Sequence, residues 1–406
     1  MKDRIRLVLA VLAISIVGWA QAQNNKPITL NEAIDLSIKN RKQLKINRAK
    51  VEQASAAVRE AIQRRLPDAS VSGSYIRLSN PAIDLKTKSN SGSGGGSGSG
   101  GAMPKVNQAA YGMLNASLPL YAGGRIRYGI ESSKYLAQAE ELDAENNKEE
   151  VIENTVEAYV NLFKAGAAVN LYNENLAQTQ QRVKDFSNLE KNGLLARNAL
   201  LKAQLQESNV ELALLDAQNN FELANVNMDL MLGLPERVVL SPDTALLNQS
   251  FSVNGLEDYV QAALKNRKDI EALGLRRQAA DLGVKATKAE RYPSIALTGG
   301  YIAADVPKVL TITNAANLGL GVQYNIGTLW KNKAKVEEAE ARSRELEATQ
   351  ELMNNNLRLQ VNKAYLNWLS SQKKIEVYAK AIEQADENYR IVKNKYANSL
   401  ATPTDL

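Results

Sequence analysis

The chain has 406 residues, 50 Lys and Arg against 44 Asp and Glu for a formal charge of +6, and neither cysteine nor histidine. Disulfide stapling, a Cys-borne lipid anchor and catalysis through thiol or imidazole are thereby excluded. Aromatics make up only 5% while Ala, Leu, Asn, Gln, Glu and Lys dominate, which suits long helices or coiled coils, and the charges interleave without the basic, aromatic-studded patch that nucleic acid requires.

Residues 1–22 have a basic start, an apolar centre from Leu7 to Trp19 and the small-x-small site Ala20-Gln21-Ala22. They form a secretory signal peptide cleaved after Ala22. Lys2, Arg4 and Arg6 against Asp3 take away a net +2, leaving +4. No later apolar run is long enough for a membrane helix, so any crossing must use β-strands, whose sequence signal is weaker.

A helix is expected over residues 30–66, where Ala54, Ala57, Val58, Ala61 and Ile62 fall at i, i+3, i+4, i+7 and i+8. It stops at Pro67. A strand over about 69–79 places Val71, Gly73 and Tyr75 on one face and Ser70, Ser72 and Ser74 on the other. The stretch SNSGSGGGSGSGGA lies in a loop over about 86–104, a flexible tip in water. A strand over about 110–122 sets Leu114, Ala116, Leu118 and Leu120 against Asn115 and Ser117. Gly123 and Gly124 then open a proline-free run from about 125 to 186, roughly 90 Å of helix. A joint at Asn192-Gly193-Leu194-Leu195 leads to another helix, which ends at Gly233-Leu234-Pro235. A connector over about 235–255 follows.

From Leu256 the pattern repeats. LNEAIDLSIKNRKQL lies over LEDYVQAALKNRKDI, 226 residues on, and in the same register Pro67 falls on Pro293, Gly73 on Gly299 and Tyr75 on Tyr301. Past the loop the register becomes 206, matching Leu118 with Tyr324, Tyr159 with Tyr365 and Asn192 with Asn398. Repeat 1 thus covers 23–255 and repeat 2 covers 256–406. The second copy supplies a helix, strands over about 294–304 and 316–328, and a long helix over about 331–396. It stops at Leu406, the partner of Leu200, so its last helix is missing and the natural product is expected to run at least 35 residues further.

In the strands Leu318, Leu320, Val322, Tyr324 and Ile326, and likewise Ile295, Leu297, Gly299 and Tyr301, share apolar faces opposite Ser, Gly, Asn, Gln and Thr. An apolar outside and a small polar inside suit a barrel in lipid that encloses water. Four strands cannot close one, since the smallest membrane barrels need about eight, so the chain must oligomerise.

LNEAIDLSIKN, the helix–Pro–strand junctions, LPLYAGGR at 118–125, Tyr159-x-x-Leu162-Phe163-x-Ala165, KNGLLARNALLKAQ at 191–204 and LMLGLP at 230–235, in duplicated order, resemble the outer-membrane efflux protein family of TolC-type channel-tunnels. The resemblance covers nearly all of the mature chain. It implies an α+β membrane protein: a long α-helical coiled-coil tunnel in the periplasm plus four β-strands per subunit, contributing to a trimeric 12-stranded barrel in the outer membrane of a Gram-negative bacterium. It also implies a homotrimer, outer-membrane lipid, a periplasmic adaptor (membrane fusion) protein and an inner-membrane transporter of RND or ABC type. Export of drugs, toxic compounds or metals is the expected function. A type I protein secretion duct and a soluble periplasmic coiled-coil scaffold are the alternatives.

No GxSxG, HExxH or Walker motif occurs, and no enzyme, cofactor or metal site is expected. On family grounds the gate residue is Asp405, three of which would ring a cation-favouring constriction in a trimer; its alternative role is an acid favourable to a helix dipole. The adaptor contacts fall at the joints Asn192, Gly193, Leu194 and Leu195, and Asn398, Ser399, Leu400 and Ala401. Pro67, Pro293, Gly123 and Gly124 mark the helix–strand junctions.

Overall fold

A computed structural model describes residues 25–79, 107–236, 238–243, 253–307, 310–398 and 400–401. The expected signal peptide and the Gly/Ser-rich loop lie outside the described residues. The elements run β1 (Asn25–Ile28), α1 (Leu30–Asn40), α2 (Lys42–Gln63), β2 (Asp68–Arg77), β3 (Gln108–Tyr121), α3 (Arg125–Lys191), α4 (Arg197–Leu232), β4 (Val239–Pro242), α5 (Leu256–Asn266), α6 (Lys268–Ala289), β5 (Ser294–Val306), β6 (Leu310–Gln323) and α7 (Thr328–Ala397). The order α1-α2-β2-β3-α3 recurs as α5-α6-β5-β6-α7. Its helices have 11, 22 and 67 residues the first time and 11, 22 and 70 the second.

The helix expected over 30–66 is two helices. Arg41 is extended (φ −61°, ψ 120°), and its amide donates to Ser37 O at 2.8 Å to close α1. The break is held from afar: the Asn40 side chain donates to Leu232 O, at the end of α4, at 2.7 Å. The second copy breaks at the matching Arg267 (φ −70°, ψ 122°), whose guanidinium grips Asp269 and reaches Gln360 Oε1 at 3.1 Å. The shared KNRK is therefore a helix joint. β6 likewise differs from expectation. It runs from Leu310 to Gln323, so Tyr324 and Ile326 fall in the turn before α7. Asn325 makes that turn: its Oδ1 accepts from the Gly327 amide and its carbonyl from the Thr328 hydroxyl.

Two compact units divide the chain. One takes residues up to 49, 142–270 and from 353 onward. Its core packs Ile28, Ala33, Tyr159, Leu162, Met228, Leu232 and Leu240, and β1 pairs in parallel with β4 across it. The Tyr159 hydroxyl sits 2.9 Å from Ile28 O and 3.0 Å from Asp243 O, tying α3 to the ends of both strands. Asn225 on α4 clamps β4: its amide donates to Val238 O and its oxygen accepts from the Leu240 amide.

The other unit holds residues 50–141 and 271–352. Its four strands pair antiparallel in the order β2-β3-β5-β6. Directly opposed residues share a face, and the register assembles the apolar positions into rows across the sheet: Val71–Leu114–Tyr301–Ala316, then Ala69–Ala116–Gly299–Leu318, then Leu118–Leu297–Leu320. Within the same unit α6 is tied to α3 by Ser132 Oγ to Ala279 O (3.0 Å). It is tied to α7 by Asn332 Nδ2 to Thr287 O (2.9 Å) and a Lys288–Glu340 ion pair (2.8 Å).

Asp229, beside Asn225, is fully buried. Its Oδ2 accepts from Asn225 Nδ2 at 3.1 Å, while Oδ1 has no hydrogen-bond partner among the described residues. Burial, then the nearby Glu236, raises its pKa to about 6. The folded state thus holds the proton more tightly than the unfolded chain. The resulting stabilisation is complete below the ordinary carboxylate value of 3.8 and is lost as pH rises through about 6. Asp229→Asn should flatten that dependence and raise stability near neutral pH by up to about 3 kcal/mol. Thermal unfolding followed by circular dichroism at about pH 5 and about pH 7.5 checks this; a variant that keeps the parent's pH slope contradicts it.

Candidate functional site

Two sets of residues stand out, the four helix–strand junctions in the sheet unit and the two helix joints in the other. Pro67 and Pro293 each immediately precede a strand, β2 and β5. Proline removes the amide that a continuing helix would need, which fixes where helix gives way to strand. After β3 the chain turns through Gly123 (φ 62°) and Gly124 (φ 87°), conformations that favour glycine. At Gly123 a Cβ would come 2.7 Å from Ala289 O and 2.9 Å from Tyr292 Cβ, so this turn presses directly against the α6–β5 junction.

The apolar rows of the sheet are bare. Val71 is 83% exposed, Leu318 79% and Leu320 69%, with no layer covering them among the described residues. The opposite face presents the row Ser70–Asn115–Gly300–Asn317. A Cβ at Gly300 would meet Leu114 O at 2.8 Å and Asn317 Oδ1 at 2.9 Å, so glycine leaves room for the asparagines beside it. The alternating pattern marked Asn115 as polar, but its union with Gly300 and Asn317 depends on strand register. Register shifts after Pro119 and after Ile302 put it beyond a reading of single strands.

The joints are built alike. At the end of α3 the Leu194 amide donates to Leu189 O (2.9 Å), and the Asn192 side chain donates to Asn188 O (2.7 Å). At the end of α7 the Leu400 amide donates to Lys395 O (2.8 Å), and the Asn398 side chain donates to Asn394 O (2.8 Å). Every partner is 206 residues from its counterpart. Such six-to-one bonds close helices whose last residues turn left-handed, as Gly193 does (φ 71°). The joints also come together, because Tyr396 packs on the cluster of Phe186, Leu200 and Ala203. The expected contact residues divide by direction. Leu195 packs on that cluster, whereas Leu194 and Leu400 are 74% and 77% exposed. Ala401 is half-buried, and Ser399 and Asp405 lie outside the described residues.

No helix among the described residues is long and apolar enough to cross a membrane, and no cluster there could hold a metal ion. A cavity of about 640 Å³ lies between α3, α4 and β4, lined by Leu162, Phe163, Phe221, Leu240 and Glu174 among others. It brings no pair of titratable groups together.

The model of the outer membrane efflux protein family matches residues 33–234 and 259–406. No curated protein matches the chain in sequence. Among solved structures, the outer-membrane channel OprN is 20% identical, over 93% of this chain and 82% of its own, with a TM-score of 0.75. CusC, described with its transmembrane channel formation, is 20% identical over 93% and 84%, also at 0.75. The outer membrane protein VceC of Vibrio cholerae is 18% identical over 93% and 87%, at 0.72. These likenesses establish the fold, a sheet and long helices arranged as in TolC-like channel-tunnels.

Gly193 has open space around the position of a Cβ, so Gly193→Ala should cost only the left-handed strain, about 1 kcal/mol. Gly123→Ala adds a backbone collision to the same strain and should cost more. Melting temperatures of the two variants test the ranking; equal losses contradict it.

Proposed function

The chain belongs to the outer membrane efflux protein family, and on that premise we propose that three copies close a twelve-stranded barrel through which small toxic molecules, drugs or metals leave the cell. One observation carries this reading: the sheet is bare on its apolar face and unpaired at β2 and β6, among the described residues. In hydrocarbon the bare face is satisfied by lipid, while the open edges demand other strands. Four strands from each of three copies supply a closed circuit of about twelve. The Ser70–Asn115–Gly300–Asn317 face then lines water. A soluble scaffold would leave the apolar face, with Val71, Leu318 and Leu320, exposed to solvent.

Leu205, Leu212, Leu223 and Leu230 on α4 form a further exposed apolar stripe, as do Leu352, Leu359 and Leu366 on α7. Helices striped in this way pack side by side, which supports a tunnel wall shared between subunits. The joints close the periplasmic end, where Leu194 and Leu400, with Asn192 and Asn398 beside them, meet the adaptor protein of an inner-membrane transporter. Asp405 lies a few residues beyond the second joint. Three copies ring the gate with carboxylates and favour cations.

The lipid face is tested by a matched pair. Leu320→Lys places a charge on the apolar row and should lower the yield of heat-modifiable trimer in the outer-membrane fraction, as for a loss of about 2–4 kcal/mol. Gly319→Lys, on the opposite face with open space around it, should be tolerated. In a soluble sheet the exposed Leu320 would accept lysine without loss, and that result overturns the reading. At the joints, Leu194→Asp with Leu400→Asp should leave the trimer intact and reduce export about tenfold or more; unchanged export removes these leucines from the adaptor contact.

A further inference from the structure

The sheet's apolar rows end where the helices begin, and the residues at that boundary share a chemistry. The register brings all four junctions to one edge: Asp68 lies opposite Ser117, Tyr121 opposite Ile295 and Ser294 opposite Gln323. Residues 64–67, 122–128, 290–293 and 324–333 carry seven cations, Arg64, Arg65, Arg125, Arg127, Arg291, Lys331 and Lys333, against the single acid Glu290. Among the described residues the loop end of the sheet has no such excess: 76–79, 107–110, 303–307 and 310–313 hold one cation, Arg77, and one acid, Asp305.

Three of the seven are neutralised by an acid one helical turn away: Arg64 by Glu60 (3.1 Å), Arg127 by Glu131 (2.9 Å) and Lys333 by Glu337 (3.9 Å). Arg65, Arg125, Arg291 and Lys331 are exposed and have no ion-pair partner among the described residues. Each of the four junctions contributes one of them. Aromatic rings stand beside them. Arg291 donates to the Tyr292 hydroxyl at 2.9 Å with its guanidinium 5.0 Å from the ring centre, and Trp330, next to Lys331, is 66% exposed. Tyr292 is held in place by its contact with the glycine turn at Gly123.

We propose that these junctions form a basic, aromatic collar that binds the headgroups of anionic phospholipids, through Arg65, Arg125, Arg291 and Lys331 with Tyr292 and Trp330. The inference rests on the reading that the apolar rows face lipid. Continuity with those rows puts the collar at headgroup depth, where tyrosine and tryptophan settle with one side apolar and the other wet. Arginine and lysine stems lie along apolar surface while their charges meet phosphate. The charge excess supplies what a zwitterionic headgroup does not repay, a preference for net negative lipid. In a closed barrel of three chains the four junctions of each chain place about twelve such cations around the rim.

The test uses the full chain reconstituted in vesicles, with Trp368→Phe so that Trp330 is the fluorescent reporter of the mature protein. Brominated phosphatidylglycerol and brominated phosphatidylethanolamine are compared as quenchers. The proposal expects phosphatidylglycerol to compete for the site about threefold or more better at low ionic strength. The ratio should fall towards one in Arg65→Gln/Arg125→Gln/Arg291→Gln/Lys331→Gln and, in the parent, at high salt. Should the fourfold variant fail to assemble, Arg125→Gln/Lys331→Gln and the salt series of the parent read out the same loss. Equal quenching by both lipids in the parent overturns the collar and leaves the lipid-facing sheet standing. Quenching by neither lipid overturns both.

Discussion

Everything in this chain follows from a sheet that is incomplete by itself. Inside a bilayer no water is available to bond a strand's amides and carbonyls, so an open edge cannot be left there. β2 and β6 are such edges, each with no strand beyond it among the described residues, and the rows of Val71, Leu114, Leu318 and Leu320 lie bare beside them. A fold that buries its own apolar surface would cover these rows with its helices. Here the helices of the sheet unit are tied instead to one another, α6 to α3 through Ser132 and to α7 through Asn332 and Lys288. The surface left uncovered is what the proposed lipid contact and the proposed assembly of copies would satisfy.

Passing from helix to sheet and back requires the backbone to change period between 3.6 and 2 at four places in the chain. Proline performs the change where a helix ends, at Pro67 and Pro293. On the return from β3, two glycines with positive φ allow a turn so tight that Gly123 lies against Ala289 and Tyr292. The return from β6 uses no matching glycine pair; Asn325 folds back on Gly327 and Thr328 and starts α7 directly. Away from the sheet, both joints close with the same pair of hydrogen bonds, Leu194 to Leu189 and Leu400 to Lys395, each beside an asparagine that bonds one turn back. Both leave a leucine outside. The duplicated unit therefore keeps its joints more faithfully than its turns, which fits a role for the joints in meeting a partner.

The long elements and the two faces of the sheet were legible because they depend on period alone. What depended on distant partners was not. The break at Arg41 was hidden because the helical pattern runs on through KNRK, and the bond that fixes it comes from Leu232. The row Ser70–Asn115–Gly300–Asn317 joins four strands whose register is set by irregularities in β3 and β5. Asp229 looks like any helix carboxylate until α4 packs against the β1–β4 pair. In the sequence only the repeat, which lays Asn192 over Asn398, marks the joint after α7, since Ser399 stands where the first joint has Gly193.

The central claim is that copies of this chain enclose a water-filled path through a membrane. Planar-bilayer recording of the purified full chain, assembled as its oligomer, tests that most directly. The account predicts discrete, long-lived single-channel steps in ionic current. A pure oligomer that inserts or binds yet leaves the bilayer electrically silent would contradict it.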